Sequence, residues 1–256
     1  MDRRCECDKR IVWAIVVACL LGVPIALDLQ WAVRPTFAEE GRAGLSPTSG
    51  SEQATALFAQ GQTAAKQGRL RAATEAYVEA IRVKPDFAAA YLALGRINHE
   101  AGRPEKAMAL YRLALQHDPE LVEGYQGLGN LHFDQGRLEE ALGFYQEVLK
   151  RTPVSPVGYN SVGNCYYGLQ KFQEALTMWQ KAIDVDPAYP RAYFNRAVLY
   201  DGIHDKDKAI ENYRKFLEFA GSDQATLVED ARMRIDELER PESAKPTGSG
   251  PSEHQH

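Results

Sequence analysis

Apolar residues between positions 54 and 240 recur with the period of an α-helix, and polar turns interrupt them at regular intervals. In one segment Tyr91 and Leu94 share a face of a first helix, and Ala107, Tyr111 and Ala114 share a face of a second. Each apolar stripe has to be buried against another element. The pattern therefore predicts an all-α chain built from consecutive pairs of amphipathic helices.

The same residues return every 34 positions in several columns. So many columns in phase indicate an internal repeat and exclude a chance similarity. The columns are Pro85, Pro119, Pro153 and Pro187; Gly61, Gly95, Gly129 and Gly163, continued by Ala197; Ala73, Ala107, Ala141, Ala175 and Ala209; Tyr77, Tyr111, Tyr145, Trp179 and Tyr213; and Tyr91, Tyr125, Tyr159 and Tyr193.

Each column has a physical role within a pair of helices. The small residues suit positions where two helix axes approach closely, and the aromatic residues fill the space beside them. We expect Gly68, Gly102 and Gly136 to end the first helices in the left-handed conformation that glycine accepts. The prolines are expected to end the second helices, because proline lacks a backbone N–H.

The columns resemble the tetratricopeptide repeat, a helix–turn–helix unit of 34 residues. The third unit has Tyr125-x-x-Leu128-Gly129-x-x-His132, followed by Ala141, Tyr145, Val148 and Pro153. The resemblance implies an α-solenoid, a right-handed superhelix with a concave groove lined by the first helix of each unit. It covers residues 54–221 in five units, 54–87, 88–121, 122–155, 156–189 and 190–221.

An amphipathic segment follows the last unit. Between residues 222 and 240, the apolar stripe consists of Leu227, Val228, Ala231, Ile235 and Leu238. A terminal unit needs a neighbour with a polar outer face, so this segment is expected to be a capping helix and the eleventh helix of the array. Asp223 or Ser222 is expected to cap its N-terminus.

The resemblance also implies which side chains line the groove. Asparagine amides both donate and accept hydrogen bonds, so a row of them can pair with the backbone of an extended peptide. Aromatic side chains beside the row offer flat apolar surfaces. Alternatively, the asparagines are solvated or bond neighbouring repeats. The predicted groove residues are Arg96, His99, Gln126, Asn130, Phe133, Asn160, Asn164, Tyr167, Arg191 and Asn195.

The N-terminus has the order of an export signal, with basic residues at 1–10 and an apolar run at 11–27. As a helix the run spans about 25 Å, near the minimum for crossing a bilayer. The basic residues predict that the N-terminus stays inside and the rest lies outside. Four interpretations remain open: an uncleaved anchor, a signal cleaved after Thr36-x-Ala38, a lipoprotein box ending at Cys19, and a buried helix of the fold.

Two further segments are predicted to lack regular structure. Residues 28–53, rich in proline, glycine and serine, are expected to form a flexible linker. Residues 241–256 combine proline, glycine, serine and glutamate and are expected to be disordered.

Composition and charge exclude several classes of function. A formal net charge of −5 and the absence of a dense basic run after residue 45 argue against nucleic-acid binding. Of four cysteines only Cys165 lies in the repeats, so no disulfide framework is expected there. No catalytic motif with usable spacing occurs, and neither catalytic residues nor a metal or cofactor is expected.

These observations predict a non-catalytic scaffold that binds a protein or peptide partner in its groove, assists the assembly of a complex and is attached to a membrane by its N-terminus. The expected location is the bacterial inner membrane with periplasmic repeats, or the periplasm after signal cleavage. One alternative is a self-associating structural protein that forms homo-oligomers. Another is an accessory subunit of an enzyme, with a small ligand in the groove.

Overall fold

The computed structural model describes residues 47–240, which form helices joined by short turns. They belong to two compact units, which meet in the sequence between Gly136 and Arg137. In this part of the chain no helix combines the length and apolar character needed to cross a bilayer. The predictions for the basic segment, the hydrophobic segment, residues 28–46 of the linker and the C-terminal tail concern residues outside those described.

Unit 1 contributes residues 47–136 to the described chain. Its α-helices are α1 (Pro47–Lys66), α2 (Leu70–Val83), α3 (Ala88–Glu100), α4 (Pro104–His117) and α5 (Val122–Asp134). Helix α1 has 20 residues, whereas α3 has 13. It begins inside the segment predicted as a linker, so the helical region starts seven residues before the first predicted unit at position 54.

Unit 2 contributes residues 137–240. Its α-helices are α6 (Leu138–Arg151), α7 (Pro156–Gly168), α8 (Phe172–Val185), α9 (Pro190–Gly202), α10 (Lys206–Phe219) and α11 (Ala225–Glu239), with a 3₁₀ turn at Ser222–Gln224. The expected N-cap of α11 was wrong. Ser222 and Asp223 lie in the 3₁₀ turn, and Gln224 precedes the helix without a capping side-chain hydrogen bond.

The small-residue columns lie where the helices approach most closely. All five alanines of the column that begins at Ala73 are fully buried. A Cβ atom added to Gly95 would lie 2.6 Å from the Tyr111 ring, so the aromatic side chain occupies the space that glycine leaves open. The predicted pairing of small and aromatic columns therefore places first and second helices in direct contact.

Tyrosines of the first helices also bond to the preceding repeat. The hydroxyl of Tyr91 donates to the carbonyl of Pro85 at 3.1 Å. Tyr125 makes the same bond to Pro119 at 3.1 Å, and Tyr193 makes it to Pro187 at 3.0 Å. In each pair the tyrosine stands six residues after the proline, so the repeat period places a donor and an acceptor together at these three junctions.

Helix α11 covers the apolar face at the end of unit 2. Ala231 and Ile235 are buried in a cluster with Tyr213 and Phe216 of α10. At the edge of this contact the guanidinium of Arg234 donates to the Asp201 carboxylate of α9 at 2.6 Å. The amphipathic stripe in the sequence thus matches the face that α11 buries.

The turn between the two helices of a repeat requires a left-handed residue. Gly68, Gly102 and Gly136 have φ angles of 71°, 66° and 71°, as their position in the sequence predicts. The corresponding turns of unit 2 place Gln170 at φ 60° and His204 at φ 61°. Side chains with a Cβ adopt this region at a cost of about 1 kcal/mol, so these two turns are strained relative to the others.

Replacing His204 or Gln170 by glycine is expected to raise the free energy of unfolding by about 0.5 kcal/mol. The substitution removes the left-handed strain, and the greater freedom of glycine in the unfolded chain offsets part of the gain. Urea unfolding followed by circular dichroism measures the effect. The reverse change, Gly102→Ala, has open space around its Cβ and is expected to cost about 1 kcal/mol. If both substitutions changed the free energy of unfolding in the same direction, the left-handed strain assigned to these turns would be contradicted.

Candidate functional site

Helices α1 and α3, with the start of α5, line an open cleft of about 670 Å³ in unit 1. Phe58 and Leu92 contribute apolar surface to it. The Phe58 ring is held by Tyr77 and Phe87, whose ring centroids lie 5.3 and 5.2 Å away. The cleft therefore has an apolar surface whose main aromatic ring is fixed by packing.

Four charged side chains line the same cleft: Lys66, Arg96, Glu100 and Glu123. Within residues 47–136, none of them takes part in the ion pairs that other charged residues form. Burial raises the pKa of the Tyr77 hydroxyl, and the nearby Arg96 guanidinium opposes that effect. Charges without an ion-pair partner in this range, beside an apolar surface, suit the recognition of another molecule.

Four other predicted groove residues of unit 1 lie outside the lining of this cleft. His99 Nε2 is 2.9 Å from the Asp134 carboxylate, which accepts from the ring. Gln126 Nε2 donates to Asn130 Oδ1 at 2.9 Å, one turn along α5. Phe133 is half-buried. Of the five residues predicted in unit 1, Arg96 is the one that lines the cleft.

The asparagines of unit 2 form a connected cluster. Asn195 Nδ2 on α9 lies 2.8 Å from Asn160 Oδ1 and 2.8 Å from Asn164 Oδ1, both on α7. The indole Nε1 of Trp179 on α8 donates to the same Asn164 oxygen at 3.0 Å. The carbonyl oxygens of Asn160 and Asn164 therefore accept a hydrogen bond from the neighbouring repeat, as one of the alternatives from the sequence predicted.

Exposed apolar side chains lie beside this cluster. Tyr167 and Phe172 are 39% and 40% exposed, and their ring centroids are 5.8 Å apart. Tyr167 stands one turn after Asn164 on α7 and also contacts the Trp179 ring at 5.9 Å. Arg191 is exposed and stands one turn before Asn195 on α9. Unit 2 thus places all five of its predicted residues on two first helices.

Sequence reasoning missed two residues of this region, Trp179 and Phe172. Trp179 was counted as a packing residue of the tyrosine column, although a tryptophan among tyrosines signals a different hydrogen-bonding capacity. Phe172 begins α8, where its side chain meets Tyr167 from the adjacent helix. Only the turn geometry brings those two rings together.

Several buried acids of the core are held in their neutral form. Burial raises the pKa values of Tyr91, Tyr111 and Tyr213 to about 12. Burial also raises the pKa of the Cys165 thiol from 9.0 to about 12, so this thiol is not a nucleophile at neutral pH.

These shifts predict that stability decreases at alkaline pH. The folded chain holds the protons up to about pH 12, whereas the unfolded chain releases them near 9 for the thiol and 10 for the phenols. The folded state is therefore favoured fully below pH 9 and progressively less between pH 9 and 12. Urea midpoints measured from pH 8 to 11 should fall, and Cys165→Ala should delay the onset by about one pH unit. Midpoints that stay constant to pH 11 would contradict the prediction.

Four sequence profiles of one family match the chain. Those described as tetratricopeptide repeat match residues 58–122, 98–160 and 190–223, and one described as TPR repeat matches residues 163–201. The chain belongs to the tetratricopeptide repeat family. Membership confirms the resemblance inferred from the 34-residue columns, and it makes protein interaction the general function of this tetratricopeptide repeat protein.

Solved structures of similar architecture include those of PilF, PilW and MamA. Pseudomonas aeruginosa PilF is 20% identical, with a TM-score of 0.62 over 74% of this chain and 90% of its own. PilW, described as a widely conserved type IV pilus biogenesis factor, is 18% identical, with a TM-score of 0.62 over 72% and 90%. MamA is 24% identical, with a TM-score of 0.54 over 62% and 92%.

These likenesses concern the fold, because all three identities are below 25%. They confirm the predicted class, an all-α array of tetratricopeptide repeats. No protein with a curated function matches the sequence.

Proposed function

We propose that this tetratricopeptide repeat protein is a non-catalytic scaffold of the bacterial cell envelope that binds an extended segment of a partner protein on its first helices. The observation that supports it best is the cleft of unit 1. There a cleft of about 670 Å³ combines an apolar surface with four charged side chains that have no ion-pair partner among residues 47–136. Binding the segment of one partner while the rest of the array remains free would assist the assembly of a complex.

The chemistry of the cleft favours a polypeptide over a small ligand. The cleft opens to solvent and is lined by residues of α1, α2, α3 and α5, whereas small-molecule sites enclose most of their ligand. Charged groups of both signs line the cleft, and they suit a segment that carries both acidic and basic side chains. Phe58, fixed by two aromatic neighbours, offers a rigid surface for one apolar side chain.

Capture from an envelope extract tests the proposal. The full chain is immobilised beside a variant with Lys66→Glu and Arg96→Glu, which reverses the cationic part of the cleft. A partner bound there should be retained by the original chain and reduced at least tenfold by the variant, because like charges replace complementary ones. The control variant, Arg103→Glu with Arg112→Glu, changes the charge equally at exposed residues that do not line the cleft.

Each outcome decides between the functions considered. Retention by the original and the control, with loss in the cleft variant, supports the scaffold. Equal retention by all three places binding elsewhere and contradicts the role of the cleft. If the chain retains only further copies of itself, the self-associating alternative replaces the proposal.

The envelope location is tested separately with alkaline phosphatase fused after residue 256. The basic residues before the apolar run at 11–27 support export of everything that follows. Alkaline phosphatase is active only outside the cytoplasm, so high phosphatase activity of the fusion is expected. Moving Arg3, Arg4, Lys9 and Arg10 to the other side of the apolar run should reduce the activity. Inactive fusions with intact protein levels would contradict the location.

A further inference from the structure

The orientation of the asparagine cluster in unit 2 is determined by one donor. The oxygen and nitrogen of a side-chain amide have nearly the same shape, so hydrogen-bond partners decide which way an amide points. An indole nitrogen can only donate, and Trp179 Nε1 lies 3.0 Å from Asn164, which must therefore present its Oδ1. Asn195 then has to donate to that oxygen through Nδ2, and the same Nδ2 requires Oδ1 from Asn160.

A tyrosine at position 179 would leave this orientation undetermined. The other units have Tyr77, Tyr111, Tyr145 and Tyr213 in the same column. A phenolic hydroxyl both donates and accepts, so it is compatible with either orientation of a neighbouring amide. Trp179 is thus the residue that fixes the polarity of the cluster.

The consequence is a surface that offers donors. The carbonyl oxygens of Asn160 and Asn164 are used by internal hydrogen bonds, and neither Nδ2 group has an acceptor within residues 137–240. Asn160 is 6% exposed, and its Nδ2 is not among the side-chain atoms shut off from solvent without a partner, so its N–H groups reach the surface. An N–H group that reaches the surface and has no internal acceptor can donate to a carbonyl of another molecule.

The apolar surface beside these donors completes the site. Tyr167 and Phe172 present adjacent rings that are partly exposed. Asp201 lies near the end of α9. Its carboxylate is already paired with Arg234. The surface therefore provides N–H donors and aromatic rings, and the Asp201 carboxylate beside it is neutralised by Arg234.

We propose that Trp179 is the positioning residue of a second partner subsite, in which backbone carbonyls of an extended peptide accept from Asn160 and Asn164 and a bulky apolar side chain packs on Tyr167 and Phe172. The inference rests on the proposed function, since it identifies the kind of segment that one part of the repeats recognises. It differs from the cleft of unit 1, whose chemistry is charged.

The probe is a phage-displayed library of random 12-residue peptides, selected on the full chain. Selected peptides should share an aromatic or large aliphatic residue. Their affinity is then measured for Asn164→Asp and Asn160→Asp. Each aspartate keeps the oxygen that accepts within the cluster and loses the outward N–H donors, so a loss of at least tenfold is expected while the fold is retained.

Variants of Trp179 separate positioning from packing. Trp179→Tyr restores the residue of the other units, and Trp179→Phe removes the donor altogether. Both should weaken binding about threefold to tenfold, because the amides are then free to turn. Combined with Asn164→Asp, which has already removed the donor to the peptide, neither should add a further loss. Unfolding midpoints measured alongside identify any variant whose effect is a loss of folding, and the other Trp179 variant then decides.

The outcomes are distinct from those of the proposed function. Apolar peptides whose affinity falls with the aspartate variants, and non-additively with the Trp179 variants, support the subsite. Peptides that bind these variants unchanged, Trp179 losses that add fully to Asn164→Asp, or a library without binders would each overturn it. The capture experiment on the charged cleft of unit 1 stands independently of all three.

Discussion

Replacing Tyr111 by alanine is expected to lower the free energy of unfolding by about 3–5 kcal/mol, the range found when a large buried aromatic side chain is removed. Tyr111 is 1% exposed. Its ring fills the space beside Gly95 of its own repeat and Gly127 of the next, where added Cβ atoms would lie 2.6 and 2.7 Å from it. Alanine would leave a cavity at the point where α3, α4 and α5 meet, and glycines on both sides cannot fill it.

Tyr111→Phe is the matched control, because it keeps the ring and removes only the hydroxyl. The hydroxyl makes no hydrogen bond within residues 47–136, so a change below about 1 kcal/mol is expected. Urea unfolding of both variants, with hydrogen exchange to locate the effect, should show lost protection in α3 to α5 for the alanine variant. Similar losses for both variants would mean that the hydroxyl, and not the packing, stabilises this junction.

Replacing Gly163 by alanine is expected to destabilise unit 2 by about 2 kcal/mol. The new methyl group would lie 2.5 Å from Trp179 Nε1 and 2.6 Å from Cδ1, well inside van der Waals contact. Relief requires the indole to move away from α7, and the hydrogen bond from Trp179 to Asn164 would lengthen with it. The substitution should therefore also weaken peptide binding at the asparagine cluster.

Gly143→Ala gives the opposite expectation from the same chemical change. Gly143 lies in the interior of α6 with nothing within 4 Å of its Cβ position. Alanine there should raise the free energy of unfolding by about 0.5–1 kcal/mol, because glycine is the weaker helix former. Urea midpoints of the two variants should move in opposite directions. An increase for Gly163→Ala as well would show that helix propensity, and not close packing, governs position 163.

Much of the fold was predictable because the repeat displays each requirement several times. One glycine before a polar stretch is weak evidence of a turn, but Gly68, Gly102 and Gly136 at one spacing identify it, and all three adopt positive φ. In unit 2 the positive φ of the corresponding turns was not predicted, since Gln170 and His204 carry no such signal. Tertiary packing holds them in a conformation that their local preference disfavours.

The candidate sites were less predictable, since they depend on contacts across helices. Predicted residues of the first helices were identified by column, which places a residue on a helix face but does not show its partner. His99 pairs with Asp134, 35 positions later, while Arg96 has no ion-pair partner within residues 47–136. No periodicity distinguishes these two outcomes.

The sequence by itself determined the family, the succession of helix pairs and the stripe that α11 buries, because these depend on local preference and on a period that repeats along the chain. Only the tertiary structure decided which charges of the cleft lack partners and which way the amides of Asn160, Asn164 and Asn195 point. Whether two side chains on different helices form a hydrogen bond depends on differences of a few tenths of an ångström in the separation of their atoms. A one-dimensional pattern has no means of encoding that geometry directly.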